Sequence, residues 1–213
     1  SVEFIGKKAF YNCTGAESFL LNENLTGIDD YAFSNCKSLL YIDIPDGVNY
    51  IGAGAFETCE KLTEVSVGGG LNELADSLFR NCTQLKNIII GSNVKIIGKS
   101  AFEGCRGLVS ADIKNTAVIK DNAFYNCSAL KNLTLHKTLG QIGESAFRYC
   151  KELNNITIPD STTTIGTYAF ADCTGLQSIN LGNGLTGISN YMLKGCTSLN
   201  EVVFGNKTER IGD

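Results

Sequence analysis

IGAGAFETC, residues 51–59, packs small residues, a phenylalanine and a cysteine into one short run. Close copies occupy residues 5–13 (IGKKAFYNC), 28–36 (IDDYAFSNC), 74–82 (LADSLFRNC) and 97–105 (IGKSAFEGC). They continue at 119–127 (IKDNAFYNC), 142–150 (IGESAFRYC), 165–173 (IGTYAFADC) and 188–196 (ISNYMLKGC), and a tenth begins at Ile211-Gly212. The closing cysteines are Cys13, Cys36, Cys59, Cys82, Cys105, Cys127, Cys150, Cys173 and Cys196, spaced by 23 residues except for 22 between Cys105 and Cys127. Self-similarity at a fixed period of this length marks a stacked repeat architecture. The missing residue is expected in the loop around Lys114 to Val118, where a deletion disturbs a core least.

A second pattern, Leu-x-x-Ile-x-Ile, follows each cysteine, as in LLYIDI (39–44), LKNLTL (130–135) and LNNITI (153–158). Its end alternates apolar, exposed, apolar, as a strand with one buried face should. Turns such as Pro45-Asp46-Gly47 and Gly68-Gly69-Gly70 lead back to the next Ile-Gly. One strand and one return cannot bury an apolar side alone, whereas stacked copies about 4.8 Å apart can. Stacking predicts an aromatic spine of Phe10, Phe33, Phe56, Phe79, Phe102, Phe124, Phe147 and Phe170, continued by Leu193. Beside it runs a small column of Ala9, Ala32, Ala55, Ala101, Ala123, Ala146 and Ala169, with Leu78 and Met192 as the bulky exceptions.

The 213 residues are read as one repeat domain, 1–213, of about nine units. A hydrophobic fraction of 43% excludes disorder. A net charge of −4 with scattered Lys and Arg forms no basic face, which argues against nucleic acid or an anionic membrane as partner. No run of 18 apolar residues is present to cross a bilayer, and the opening Ser1-Val2-Glu3-Phe4 is not a leader peptide. Both ends fall inside the repeat pattern, so a segment of a longer chain is expected.

The pattern Ile-Gly-x-x-Ala-Phe-x-x-Cys-x-x-Leu-x-x-Ile-x-Ile-Pro resembles the BspA-like leucine-rich repeat. It fits best across Ile51, Gly52, Ala55, Phe56, Cys59, Leu62, Val65 and Val67. Departures are local: Ala16 replaces the strand-leading Leu, Asp29, Ala75 and Lys120 replace Gly, and Pro survives only at 45 and 159. The resemblance implies an α/β solenoid, a right-handed leucine-rich-repeat superhelix with a concave parallel sheet and short helical or irregular convex turns. It also implies a non-catalytic protein on a cell surface or secreted, associated with adhesion and protein binding.

Nine cysteines invite other chemistry. Zinc needs ligands converging on one point, usually with a C-x-x-C pair, and no such pair occurs. A catalytic thiol needs a basic or cationic neighbour, and the single histidine, His136, stands in a turn beside Lys137 with no partner pattern. Disulfides between rungs would hold Cβ atoms farther apart than a bridge prefers, and nine is odd. The cysteines are read as small, buried, reduced thiols, with no metal or other cofactor. Unpaired thiols by themselves point to a reducing compartment, in tension with a surface location.

With these columns inside, recognition is left to the exposed strand positions. One column runs Ser18, Tyr41, Glu64, Asn87, Ser110, Asn132, Asn155, Ser178, Glu201; a second Leu20, Asp43, Ser66, Ile89, Asp112, Thr134, Thr157, Asn180, Val203; a third Glu17, Leu40, Thr63, Lys86, Val109, Lys131, Asn154, Gln177, Asn200. The candidate contact residues are Leu40 and Tyr41, an apolar anchor, and the amides Asn132, Asn154, Asn155, Gln177, Asn180 and Asn200. Planar amides suit sugar hydroxyls or a peptide backbone, and they also hydrogen-bond along a ladder to one another. Seven Asn-x-Ser/Thr triplets, at Asn12, Asn24, Asn81, Asn126, Asn132, Asn155 and Asn206, are read as arising from composition.

A protein partner is the first expectation; a carbohydrate-binding region or a spacer is the alternative. No nucleophile–base pair or phosphate-cradling loop supports an enzyme. End-to-end self-association of the stack is a further expectation.

Overall fold

The computed structural model describes residues 2–212. Eighteen short strands, numbered in chain order, form two families of parallel ladders. Ten of two residues each make a short-strand ladder: β1 (Phe4–Ile5), β2 (Gly27–Ile28), β4 (Tyr50–Ile51), β6 (Glu73–Leu74), β8 (Ile96–Ile97), β10 (Val118–Ile119), β12 (Gln141–Ile142), β14 (Thr164–Ile165), β16 (Gly187–Ile188) and β18 (Arg210–Ile211). Eight longer ones make the sheet expected on the concave side: β3 (Tyr41–Ile44), β5 (Glu64–Val67), β7 (Asn87–Ile89), β9 (Ser110–Asp112), β11 (Asn132–Thr134), β13 (Asn155–Thr157), β15 (Ser178–Asn180) and β17 (Glu201–Val203).

Each residue sits on its copy one repeat away, Ile42 on Val65 and Val65 on Ile88. Register confirms where the short repeat loses its residue. Ser110 pairs 23 positions back, with Asn87, but Val118 pairs 22 back, with Ile96. The deletion therefore lies between Asp112 and Val118, outside both ladders. In the first repeat Phe19 and Leu21 turn partly inward and Leu20 outward, yet residues 17–21 form no strand. One backbone bond, Leu40 N to the Glu17 carbonyl, marks where that rung would be. Ala16 there fills less of the slot that Leu39 or Leu62 fills completely.

The core is the predicted set of columns. Phe33, Phe56, Phe79, Phe102, Phe124, Phe147 and Phe170 are fully buried. Their rings stack 5.0–5.6 Å apart at interplanar angles of 3–17°. Phe10 and Leu193, at the two ends, are only partly buried. Ala32, Ala55, Ala101, Ala123, Ala146 and Ala169 beside the rings are buried, and so are Leu78 and Met192, whereas Ala9 in the first repeat is exposed.

One expectation is corrected. No helix occurs among the described residues, so the α/β description and the helical convex turns give way to a parallel β-solenoid whose third side is a wall of tight turns. The reason lies in how backbone donors are shared. Ala9, Tyr11 and Cys13 donate within the turn, to Gly6, Lys8 and Phe10; the intervening Lys8, Phe10 and Asn12 donate to Asp30, Ala32 and Ser34 of the next repeat. Half the amides thus leave the turn, and no i→i−4 series can form. Two residues per repeat also adopt positive φ, as in Lys8 (57°) and Asn12 (64°) or Asn122 (56°) and Asn126 (58°). Such residues interrupt a right-handed helix.

The wall ladder runs unbroken from Lys8–Asp30 to Tyr168–Asn190. Among the described residues the short-strand ladder is interrupted between β4 and β6 and between β14 and β16, and the long-strand sheet between β11 and β13. Both short-strand gaps fall where the glycine after the Ile becomes Ala75 or Ser189. A Cβ on Gly143 in that column would lie 2.5 Å from the Asp121 nitrogen. Asp29 and Lys120 also carry side chains there but keep their bonds to Ile5 and Ile97.

Candidate functional site

The cysteine column lies inside the wall. Seven of the nine thiols are buried, Cys196 is intermediate and Cys13 exposed; all are free. From Cys36 onward each Sγ donates to the phenylalanine carbonyl of the preceding repeat, Cys59 to Phe33 at 3.3 Å and Cys105 to Phe79 at 3.0 Å. That carbonyl also accepts the amide of its own cysteine, Cys36 N to Phe33 O at 3.1 Å. Both lone pairs of a buried carbonyl are thereby used. Burial pushes the Cys36 thiol up to about 12 and Cys196 to about 11, and raises Cys105, Cys127, Cys150 and Cys173 as well. A protonated thiol is neither a nucleophile nor a metal ligand. Among the described residues no group of three or more His, Cys, Asp or Glu could hold a metal ion.

The candidate contact residues stand on the long-strand face. Leu40 and Tyr41 are 42% and 50% exposed. Asn132, Asn155, Gln177, Asn180 and Asn200 are exposed and Asn154 is half-buried. Register brings Asn155 beside Ser178, which in turn stands beside Glu201, and sets Asn180 between Thr157 and Val203. Asn132 does not join them, because it lies on β11, across the gap in the sheet. Donors at Lys131 and Gln177 reach the rung before them, but the matching bond from Asn154 to Lys131 is missing among the described residues. Two amides are already engaged. Asn155 Oδ1 accepts the Ser178 hydroxyl at 2.7 Å, and Asn180 Oδ1 accepts the Gly182 amide at 3.0 Å.

Midway along the face, Asp112 meets Lys114 and His136, each at 3.2 Å. His136 thus has an acidic partner that its turn position did not foretell. At the other end a groove of about 530 Å³ is lined by Phe19, Leu20, Tyr41, Asp43, Pro45 and Asp46 among others.

The turn wall carries a surface that strand-centred reading missed. Arg148 lies 4.8 Å and 5.0 Å from the Tyr149 and Tyr168 ring centroids and donates to Asp172 at 3.0 Å. Tyr125 meets Tyr149 edge-on, Tyr168 stacks on Tyr191, and Lys194 lies over Tyr191. The signal was available in the repeat alignment, where Tyr149, Tyr168 and Tyr191 occupy wall columns that most other repeats fill with Asn, Ser or Gly.

Among known families, the profile described as BspA type Leucine rich repeat region, in six copies, matches residues 1–109 and 117–213. The unmatched interval spans the one-residue deletion. Among solved structures, a leucine-rich repeat protein of T. pallidum (TpLRR) is similar at 27% identity and a TM-score of 0.61, over 81% of this chain and 73% of that one. The pneumococcal vaccine antigen PcpA shares the fold at 21% identity and a TM-score of 0.55, over 98% of this chain and 66% of its own. So does a Bacteroides ovatus leucine-rich repeat protein, at 22% identity and a TM-score of 0.50, over 98% and 81%. The search of curated sequences finds no match.

Proposed function

The chain belongs to the BspA-type leucine-rich repeat family, and from that premise we propose that it is a non-catalytic binding scaffold, on a cell surface or secreted, that holds a protein partner against its concave sheet. The observation carrying this reading is the division of labour among the columns. Wall thiols, rings and small residues are consumed by the core, while eight strands, in one registered set of five and one of three, present three columns of outward side chains. At about 4.8 Å per strand the face is large enough for a standard protein interface. A surface location is supported by likeness to PcpA, which is a vaccine antigen by name.

Immobilised protein screened against matrix proteins and against a glycan array tests the reading. Saturable protein binding lost on Tyr41→Ala or Gln177→Arg supports it. Binding confined to glycans overturns it in favour of a carbohydrate module, and binding unaffected by any substitution on this face moves the site elsewhere.

A further inference from the structure

The long-strand face changes character along the stack. Its first rungs expose Glu17, Asp43 and Glu64, and every ion pair of the described residues is made elsewhere. Lys86 is the one base in the three columns of the first five rungs. Two further exposed carboxylates, Glu23 and Asp46, line the groove at this end. In the middle, Asp112 is countered by Lys114. Beyond it the candidate positions are amides.

Apolar side chains interleave with these acids. Tyr41 stands in register beside Glu64, the Glu17 carbonyl accepts the Leu40 amide, and Asp43 is followed by Ser66 and then Ile89, which is 62% exposed. Single exposed hydrophobes need no explanation. Here, though, they share a face with carboxylates of one sign that carry no counter-charge of their own. Such a face focuses a negative potential over an apolar floor. We propose that the first half of this face takes a basic protein segment in which Lys or Arg alternates with apolar side chains. The alternation matches the two kinds of position that the rungs present, and the inference rests on the concave-face reading above.

The test is fluorescence anisotropy with the full chain and a labelled synthetic peptide of about a dozen residues alternating Arg and Leu. Two companions replace every Arg by Glu or every Leu by Ser. The Arg–Leu peptide should bind, the Glu–Leu peptide should not, and the Arg–Ser peptide should bind about tenfold more weakly. Joint D43K and E64K should weaken Arg–Leu binding by about tenfold or more, as should raising salt from about 50 to about 300 mM. Asn155→Arg, in the amide half, should change it by less than about twofold. Equal binding of the Glu–Leu peptide, no binding of the Arg–Leu peptide, or indifference to D43K/E64K overturns the proposal. A protein partner lost on Asn155→Arg but kept by D43K/E64K removes this assignment and leaves the concave-face reading intact; a partner sensitive to neither removes both.

Discussion

At the scale of single residues, the Phe79 carbonyl accepts two donors, the Cys82 amide of its own repeat and the Cys105 thiol of the next. The cysteines are legible as small buried thiols, but their service as second donors to the phenylalanine carbonyls is not, because it depends on a hydrogen bond between repeats. Cys105→Ala leaves the Phe79 carbonyl with one donor and should cost about 1–3 kcal/mol in urea unfolding. Titration gives a second check. A folded value near 12 for Cys36, above the ordinary 9.0, means that the folded chain keeps a proton which the unfolded chain releases. That stabilisation is complete below pH 9.0 and is lost as pH rises through the folded values. Unfolding free energy should fall steeply from about pH 9 upward, by about 1.4 kcal/mol per pH unit for each thiol ionised only in the unfolded chain, and the thermal midpoint should fall with it. Alanine at a buried rung should flatten the slope. The departures from the glycine column acquire a reason too. Where Asp29, Ala75 and Lys120 replace Gly, the next residue is Asp30, Asp76 or Asp121, whose Oδ1 accepts the amide of Ala53, Lys99 or Glu144 at 2.7–2.9 Å. A side-chain clamp stands beside each of these three lost glycines.

At the scale of elements, strands and aromatic spine follow directly from the period, and Phe102→Ala should cost about 3–5 kcal/mol, read from denaturant unfolding. The wall was harder. Ile-Gly-x-x-Ala-Phe-x-x-Cys has apolar spacing compatible with a helical turn, and nothing in hydrophobicity separates that from successive tight turns. The missed cue was the asparagine before the cysteine. Asn12, Asn35, Asn81 and Asn126 all have φ between 58° and 64°, a region asparagine tolerates better than most residues. Three of these four also head Asn-Cys-Ser/Thr triplets, which are thereby explained by backbone conformation. Asn81→Gly should leave stability unchanged or improved, and Asn81→Val should cost about 1–2 kcal/mol; thermal denaturation distinguishes them.

For the molecule as a whole, nearest-neighbour stacking was foreseeable, and the positions of the outward columns with it. What those columns do was less accessible. That Asn155 is tied to Ser178, and that Asn132 stands across a gap from it, depends on contacts between rungs and not on residue type. The wall tyrosines stand off the strand columns, and only the packing of neighbouring turns brings their rings together. Stability in such an array is a sum over repeats and their interfaces. Lesions should therefore weigh differently by place. Phe102→Ala, with a ring stacked on either side, should lower the unfolding midpoint more than Phe10→Ala, which removes a half-buried ring at the first rung. Paired denaturation curves decide this.

The three gaps in the sheets sit at different joints, one after each of Cys59, Cys127 and Cys173. Every one of those joints therefore keeps two of its three seams, always including the wall. The middle joint is unlaced on the long-strand side, and the other two on the short-strand flank. Bending at these joints should therefore hinge on the wall as a spine, opening the long-strand side at the middle joint and the short-strand flank at the other two.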